Sequence, residues 1–546
     1  MTCPGKVETL IPRPPHPSPG GAPLEFTNER TWHSAVETGK QEEFHARYEA
    51  AVYKAREQLG ETHPIYIGGK AIRGAGTFED RSPGDLRILV GRFLAGTRDH
   101  VKKGIAAAKS AFPDWGNADP LDRVRVVLRA ADLMSDAKYE LSALMTFENG
   151  KNRFEAVADV DEAIDFLRYY AQQVVDHQGF DREMGRTVKN ERARSVLRPY
   201  GVWAVISPFN FPLAIATGMT AGALIMGNTV VLKPASDTPL LALKLYELLT
   251  EAGLPPGVLN YVTGGGSTVG QALVESDDVA GLAFTGSRDV GIAAIRAFTA
   301  KRPKPVVMEM GGKNPTIVTA NADIDLAAEG VVRGAFGFSG QKCSATSRVL
   351  VDRKVQGEFL EALVERTDQI VIGPPQERDV FLGPVINEAA YEKFQAFAAL
   401  AKRSGKVLTG GSARTDGVLK HGWYAEPTIV DRLPRTHRIH REELFVPILS
   451  VLPFRALDEA LEIANGSEYG LTAGIFSDDE YEVQEFFDRI ESGVAYANRR
   501  QGSTTGAVVG VQPFGGWKMS SVSFKGAGGP YYLPQFAREQ ARTHYP

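Results

Sequence analysis

Apolar residues in the first third of the chain recur at the three- and four-residue spacing of helices. The segments with this pattern are EEFHARYEAAVYKAREQL (42–59), DRVRVVLRAADLMSDAKYELSALMTFENG (122–150) and EAVADVDEAIDFLRYYAQQV (155–174). Polar residues occupy the positions between them, so each segment is predicted to form amphipathic helix with one buried face.

From about residue 200 the pattern changes to short runs of β-branched residues, separated by segments of helix length. The runs are VWAVIS, NTVVLK and VLNYVTG, and a second region from Val306 to Gly493 contains PTIVTA, RVLVDR and ILSVLPF. Strands that alternate with helices indicate a parallel sheet covered by helices. The fold class is therefore predicted to be α/β.

Residues 199–232 form the only segment whose length and composition raise the question of a membrane span, since they contain no charged residue. Pro208, Asn210 and Pro212 interrupt this segment, and Gly227 and Asn228 divide it again. The pattern favours a strand, a turn, a buried helix and a second strand over a membrane helix.

Composition narrows the class of protein further. The chain has 546 residues, of which 43% are hydrophobic, and this is enough for two or three domains. A net charge of −4 gives no general attraction for nucleic acid or anionic lipid. Two cysteines, Cys3 and Cys343, cannot form a disulfide framework, so a reducing compartment is predicted. The Pro- and Gly-rich start lacks the pattern of a secretory signal, and we expect a cytoplasmic location, or the mitochondrial matrix in a eukaryote.

One glycine-bearing turn and one lysine are candidates for binding a phosphorylated cofactor. Gly286 and Ser287 follow a strand-like run and precede a predicted helix that begins near Arg288, where backbone N–H groups favour phosphate. Lys233 ends a predicted strand, at the edge where open α/β sheets bind ligands. Each feature has a plain structural alternative, a strand-to-helix turn for the glycine pair and a solvated side chain for the lysine.

Several motifs in fixed order narrow these alternatives. SPFNFP, VVLKPASDTP, FTGSRDVG, VVMEMGGKNP, GFSGQKCSA, EELFVPIL and QPFGGWKMS stand in the order found in the aldehyde dehydrogenases. The chain resembles that family from about residue 60 to its end. Within the family, FGFSGQKCSA, TGAVVGVQPFGGWKMS, KGAGGPYYL and the helical N-terminal arm resemble the L-glutamate γ-semialdehyde dehydrogenases, also called 1-pyrroline-5-carboxylate dehydrogenases.

The resemblance assigns the chemistry to three residues. Cys343, in a polar loop with glycines, is the expected nucleophile on the aldehyde carbon, whereas a free cysteine elsewhere is usually a small buried hydrophobe. The side-chain amide of Asn210 and the backbone N–H of Cys343 are expected to stabilise the oxyanion. Asn210 begins a predicted helix, so an N-cap is its alternative role. Glu309 is the expected base that activates water on the thioester, and a buried structural ion pair is its alternative.

The resemblance also implies NAD as the cofactor. The implied cofactor residues are Ser207, Pro208, Phe209, Lys233, Ser236, Gly266, Gly286, Ser287, Glu309, Glu443 and Phe445. Lys233 is expected on the adenosine ribose, Gly286 and Ser287 on the pyrophosphate, and Glu443 and Phe445 at the nicotinamide end. Ser236 replaces the glutamate of strictly NAD-dependent relatives, which leaves room for NADP. Val446 departs from the family pattern, which usually has glycine there.

An acidic substrate is expected to be held at its carboxylate end. The implied substrate residues are Phe211, Lys342, Ser344, Gly506, Ala507 and Phe514, and no metal is implied. Ser344 and the backbone N–H groups of Gly506 and Ala507 would bind the α-carboxylate, and Phe211 and Phe514 would enclose the aliphatic middle. The alternative is that Gly506 only forms a turn and Ser344 only packs. ANRRQGSTTG is also longer than the family pattern before this anchor.

The resemblance implies an aldehyde dehydrogenase fold with three parts and an N-terminal arm. The predicted ranges are an arm at 1–60, a Rossmann-like NAD-binding domain at 61–176 and 199–308, a catalytic domain at 309–500, and an oligomerisation flap at 177–198 and 501–546. A homo-oligomer built from dimers is expected, together with a separate proline dehydrogenase that supplies the semialdehyde. Two alternatives stay open: an enzyme for another semialdehyde or an aliphatic aldehyde, and a non-catalytic protein with this fold.

Overall fold

The computed structural model describes residues 26–500 and 508–545. Its α-helices are α1 Thr31–Glu37, α2 Gln41–Gln58, α3 Arg98–Asn117, α4 Pro120–Asp136, α5 Lys138–Asn149, α6 Arg153–Asp176, α7 Ala214–Ile225, α8 Pro239–Glu251, α9 Gln271–Val274, α10 Arg288–Phe298, α11 Ile324–Phe336, α12 Gln356–Asp368, α13 Glu388–Ser404, α14 Leu457–Asn465 and α15 Glu480–Arg489. Its strands are β1 Glu61–His63, β2 Ile65–Ile67, β3 Lys70–Ile72, β4 Thr77–Arg81, β5 Leu89–Leu94, β6 Asp181–Glu183, β7 Arg192–Pro199, β8 Val202–Ile206, β9 Thr229–Lys233, β10 Leu259–Tyr261, β11 Gly281–Thr285, β12 Val306–Glu309, β13 Asn314–Val318, β14 Thr346–Asp352, β15 Lys406–Thr409, β16 Ala413–Arg414, β17 Tyr424–Ala425, β18 Thr428–Asp431, β19 Ile448–Phe454, β20 Tyr469–Gly470, β21 Thr472–Phe476, β22 Val494–Ala497, β23 Trp517–Lys518 and β24 Ala537–His544.

Two large sheets form the frame of the molecule. The first has the order β12-β11-β8-β9-β10-β2-β3, in which the five strands from β12 to β10 are parallel. The second has the order β15-β18-β19-β14-β13-β21-β22 and is parallel except at the β15–β18 pair. Runs such as TVVLK are buried along their whole length because helices cover both faces of a parallel sheet. The predicted α/β class is confirmed.

A third, smaller sheet lies apart from these two. Strands β24, β7 and β6 pair antiparallel in that order, and β7 runs one residue past the predicted flap boundary, to Pro199. Residues 508–536 of the predicted flap range do not join this sheet: β23 pairs with β20 in a separate two-stranded sheet, and Gly516 and Ser521 contact Glu309 of β12. The domain ranges themselves stay predictions.

The helices of the first third form where the apolar spacing predicts them, but one prediction of their character is wrong. Helix α6 is buried on most of its surface rather than on one face, because helices α4, α5 and α7 pack around it. Its polar residues are therefore in the interior, and several of them form ion pairs there. In helix α2, by contrast, buried and exposed positions alternate as expected for an amphipathic helix.

The uncharged segment 199–232 contains β8, a turn, helix α7 and β9, as predicted. In the described part of the chain no helix combines the length and apolarity needed to cross a bilayer. The predicted helix start at Asn210 is wrong. Helix α7 begins four residues later at Ala214, and its N-cap residue is Leu213, so Asn210 is a loop residue and not an N-cap. Proline at position 212 favours extended backbone in the residue before it, which delays the helix.

Candidate active site

Cys343 lies in the loop between α11 and β14, and this loop has an unusual backbone. Phe338 and Ser339 both have positive φ angles, 49° and 56°, which non-glycine residues adopt only where surrounding contacts hold them. Ser339 Oγ donates to the carbonyl of Gly383 at 2.7 Å, and the Gln341 side chain accepts from a backbone N–H of the same neighbouring segment. The loop is therefore fixed from outside before it reaches Cys343.

The thiol of Cys343 is partly exposed and is surrounded by acidic groups. Burial raises its pKa, and the carboxylates of Glu443, Glu309 and Glu162 raise it further. The backbone N–H of Ser344 acts in the opposite direction by donating to the sulfur. The balance of these effects raises the pKa of the thiol and favours its protonated form, and attack on a carbonyl carbon requires the loss of that proton.

Glu309 is the last residue of β12 and faces the same space as Cys343. Its carboxylate accepts from the Gly516 N–H at 3.1 Å and from Ser521 Oγ at 2.9 Å. Burial raises its pKa well above the usual glutamate range, although both hydrogen bonds lower it. Among the described residues the partners of the Glu309 carboxylate are the Gly516 N–H and the Ser521 hydroxyl and no cation, so the buried ion pair considered as its alternative role is absent there.

One cavity brings several predicted residues together. Its walls come from helices α6 and α7, the ends of β11 and β12, and the loop 337–345 around Cys343, called the cysteine loop below. The cavity is lined by Glu162, Phe166, Phe211, Ile215, Gly218, Met219, Phe284, Thr285, Val307, Glu309, Cys343, Phe514, Ala527 and Tyr532. Its surface is mostly apolar and carries two carboxylates and one thiol, which suits a substrate with an aliphatic middle and charged or polar ends.

Asn210 lies in the loop 207–213 between β8 and α7, where it is 3% exposed. Its neighbour Phe211 lines the cavity, although Asn210 itself is not among the lining residues. The loop is fixed at both ends, because the Ser207 N–H donates to the Lys233 carbonyl at 3.1 Å and α7 begins directly after it.

Lys233 is the last residue of β9, and Ser236 lies three residues later in the segment before α8. Lys233 is buried, and its Nζ donates to the Pro234 carbonyl at 2.8 Å. Burial lowers the pKa of Lys233 to about 8, and the nearby Asp237 carboxylate acts in the opposite direction by raising it. Ser236 is exposed, so a longer side chain can be accommodated at this position.

The predicted pyrophosphate residues Gly286 and Ser287 and the predicted cofactor residue Gly266 lie at two turns on the same sheet edge. Gly266 and Ser287 are exposed, and Ser287 precedes α10 without capping it through its side chain. The Gly286 N–H donates to the Glu309 carbonyl at 3.1 Å. A Cβ at Gly286 would lie 2.6 Å from the Phe284 ring, so only glycine fits this contact. The first turn of α10 therefore offers backbone N–H groups that no side chain occupies.

Glu443 and Phe445 lie in the segment before β19. The Glu443 carboxylate accepts from the Gly312 N–H at 2.8 Å, and burial raises its pKa to about 7. Phe445 has a φ of 60°, and its ring contacts that of Phe209 edge to face, 5.8 Å between centroids. Val446 is buried, and its carbonyl would lie 2.8 Å from a Cβ at Gly340, so the cysteine loop packs directly against it.

The predicted substrate residues beside Cys343 have different environments. Lys342 forms an ion pair with Glu155 at 2.6 Å and does not line the cavity. The Ser344 side chain is completely buried, and its Oγ has no hydrogen-bond partner among the described residues. Gly506 and Ala507 lie outside the described residues, so the predicted anchor is represented here by Ser344 alone.

Comparison with known proteins decides the family. The model of the aldehyde dehydrogenase family matches residues 72–541. The chain belongs to the aldehyde dehydrogenase family. It is 41% identical to the 1-pyrroline-5-carboxylate dehydrogenase of Anoxybacillus flavithermus over 91% of this chain and 95% of that protein. The Bacillus mycoides protein of the same name is 40% identical, over 89% and 93%. The solved 1-pyrroline-5-carboxylate dehydrogenase from Thermus with bound NAD superposes with a TM-score of 0.89 at 36% identity, over 95% of this chain and 99% of that one.

Sequence reasoning missed one wall of this aldehyde dehydrogenase's cavity. One face of α6 is directed to the cysteine loop, α7 and the cavity. It is formed by four residues at helical spacing, Glu155, Asp159, Glu162 and Phe166. The signal in the sequence that could have revealed this face is the set of acidic residues at positions 155, 159 and 162 of a strongly apolar helix. A carboxylate that such a helix carries into the interior needs a partner there.

Proposed function

We propose that this aldehyde dehydrogenase oxidises L-glutamate γ-semialdehyde, the open form of 1-pyrroline-5-carboxylate, to L-glutamate with NAD. The observation on which the proposal rests is that Cys343, in the loop before β14 of the second sheet, and Glu309, at the end of β12 in the first sheet, line one cavity. The relatives named 1-pyrroline-5-carboxylate dehydrogenase support this choice of substrate.

Three residues at or beside the cavity, Cys343, Asn210 and Glu309, carry out the steps of the proposed reaction. Cys343 loses its proton and attacks the aldehyde carbon, and the oxyanion is stabilised by the Asn210 amide and the Cys343 N–H. Loss of hydride from this adduct leaves a thioester on Cys343. Glu309, whose pKa is raised by burial, then takes a proton from the water that attacks the thioester. Hydrolysis releases the carboxylic acid and restores the thiol.

The residues at the edge of the first sheet fit a dinucleotide. The uncapped start of α10 can bind pyrophosphate, and the buried Lys233 ammonium lies where a ribose hydroxyl can accept from it. The loop 207–213 also borders this edge and begins with Ser207, Pro208 and Phe209. From the side of the second sheet, the segment with Glu443 and Phe445 approaches it, and the Phe445 ring contacts that of Phe209. When bound, NAD supplies the acceptor for the hydride that leaves the substrate carbon.

The cavity also suits the other end of glutamate semialdehyde. Glu162 provides a carboxylate for an α-ammonium group, and Phe211 and Phe514 can enclose the two methylene groups between the ends. The unpartnered Ser344 hydroxyl supports a role in binding the α-carboxylate, because a buried donor without a partner costs about 1 to 3 kcal/mol unless a ligand satisfies it. Gly506 and Ala507 are proposed to complete this anchor.

An aldehyde panel with the unmodified chain and Ser344→Ala tests the substrate. We expect glutamate semialdehyde to give the highest kcat/KM. For this substrate Ser344→Ala should lower kcat/KM by an amount equivalent to about 1 to 3 kcal/mol of transition-state stabilisation. Hexanal, which lacks an α-carboxylate, should be oxidised equally well by both proteins and therefore serves as the control substrate. If hexanal matched glutamate semialdehyde in the unmodified chain, the enzyme would be one for aliphatic aldehydes instead.

The cofactor residues can be tested separately from the chemistry. Lys233→Ala should raise the KM for NAD more than it changes kcat, because a donor to the ribose is lost and no reacting atom is touched. Ser236→Glu should weaken NADP use and spare NAD use, because the new carboxylate repels only a 2′-phosphate. Titration of both cofactors against each variant measures both effects. Equal losses for NAD and NADP in Ser236→Glu would contradict the placement of this residue.

We also propose that the chain forms a homo-oligomer built from dimers. Strand β24 is an edge strand whose residues are almost all exposed, and among the described strands only β7 pairs with it. An exposed edge of eight residues favours pairing with another strand. We further propose a cytoplasmic enzyme that receives its substrate from a separate proline dehydrogenase.

A further inference from the structure

Lys151, in the short connection between α5 and α6, contacts the segments that hold both Asn210 and Cys343. Its Nζ lies 3.7 Å from the centroid of the Phe211 ring, next to Asn210 in the chain. The same Nζ lies 5.1 Å from the ring of Phe338, in the loop that leads to Cys343. One buried cation therefore contacts a loop of the first sheet and a loop of the second.

Asp159 contacts both the Lys151 ammonium and the start of helix α7. Lys151 and Asp159 form an ion pair at 2.6 Å, and both side chains are completely buried. The other Asp159 oxygen accepts the Ala214 N–H at 2.7 Å, whereas the N-cap residue Leu213 has no side chain that can do so. The Asp159 carboxylate thus satisfies the first N–H of α7, at the point where the loop that contains Asn210 ends.

A second ion pair lies beside the first and holds the other loop. Glu155, one helical turn before Asp159 on α6, pairs with Lys342, the residue directly before Cys343. Helix α6 is therefore joined to both loops by neighbouring side chains on one of its faces. Stability alone does not explain a fully buried pair such as Lys151–Asp159, because an apolar pair of similar size is often at least as stable.

We propose that Lys151 and Asp159 are positioning residues that hold the Asn210 amide at the correct place relative to Cys343. Neither residue lines the cavity, so their effect on the reaction is transmitted through Phe211, the start of α7 and Phe338. The inference rests on the proposed roles of Cys343 and Asn210, but it does not depend on which aldehyde is the natural substrate.

Lys151→Met is the principal variant, because methionine keeps an unbranched side chain and removes the charge. Lys138→Met is the matched control. Lys138 also belongs to this helical region, is buried, and pairs with Asp161 at 2.8 Å and Glu29 at 2.7 Å, but it contacts neither catalytic loop. Both variants lose a buried ion pair, so both should have a lower melting temperature.

The decisive measurement is the rate of hydride transfer per titrated active site, with the aldehyde that the unmodified chain oxidises fastest. We expect Lys151→Met to lower this rate by about tenfold or more while NAD affinity stays unchanged, and Lys138→Met to leave the rate intact. In an Asn210→Ala background, Lys151→Met should cost less than about threefold, because residues that act through one another are not additive.

Two outcomes would overturn the proposal: an unchanged rate per site in Lys151→Met, which would mean a purely structural role, or an equal loss with and without Asn210. If Lys151→Met does not fold, Asp159→Asn decides by the same measurements, because its amide oxygen can still accept the Ala214 N–H. A wrong substrate proposal would appear in the aldehyde panel and would leave this comparison unaffected.

Discussion

Cys343→Ala should abolish aldehyde oxidation, with a loss of roughly 10⁴-fold or more in kcat. No other group in the cavity can form the thioester, because its remaining lining residues are carboxylates, aromatic, aliphatic and small side chains, one threonine and the thioether of Met219, which has no thiol. The affinity for NAD should be nearly unchanged, since the predicted cofactor residues lie at the sheet edge and in other loops. Steady-state assays of NADH formation and a fluorescence titration with NAD measure the two effects.

The covalent adduct provides a direct check on the same assignment. The chain has only one other cysteine, Cys3, so a peptide map of protein trapped with substrate distinguishes the two thiols without ambiguity. We expect the adduct mass on the peptide that contains Cys343. Substantial turnover by Cys343→Ala, or an adduct found on Cys3 alone, would falsify the assignment.

Glu309→Gln should separate the two halves of the reaction. Glutamine keeps the size of the side chain but cannot take a proton from water, so hydride transfer should occur about once per site and then stop at the thioester. A rapid burst of NADH without steady-state turnover is the expected record. Hydroxylamine, a nucleophile that needs no base, should restore turnover by cleaving the thioester.

The pH dependence of the unmodified enzyme gives an independent test of Glu309. Its carboxylate must be ionised to act as a base, and burial raises its pKa. The rate of thioester hydrolysis should therefore rise with pH across a range above the ordinary titration of glutamate, and this dependence should disappear in Glu309→Gln. Glu443→Gln is the control, because it removes another carboxylate near Cys343 and should raise the KM for NAD without producing a burst. Undiminished steady-state turnover in Glu309→Gln would place water activation on another residue.

The sequence alone determined the class of the fold and the order of its motifs. Runs such as VWAVIS and NTVVLK are strands β8 and β9 because β-branched residues in short apolar runs fit a buried parallel sheet, and this preference is local. The glycine-bearing loop around Cys343 was also inferred from local pattern, and the role of Glu309 as base from family resemblance. The structure places both residues at one cavity, and their catalytic roles stay predictions.

Only the tertiary structure decided which distant residues meet. Asn210 lies in a loop, Lys342 pairs with Glu155, and α6 is buried on most of its surface. Each of these depends on contacts between segments far apart in the chain, whereas sequence spacing reports only which residues share a face of one element. The carboxylates of α6 have their roles because helices α4, α5 and α7 enclose this helix, and a buried charge there requires a partner that local sequence cannot identify.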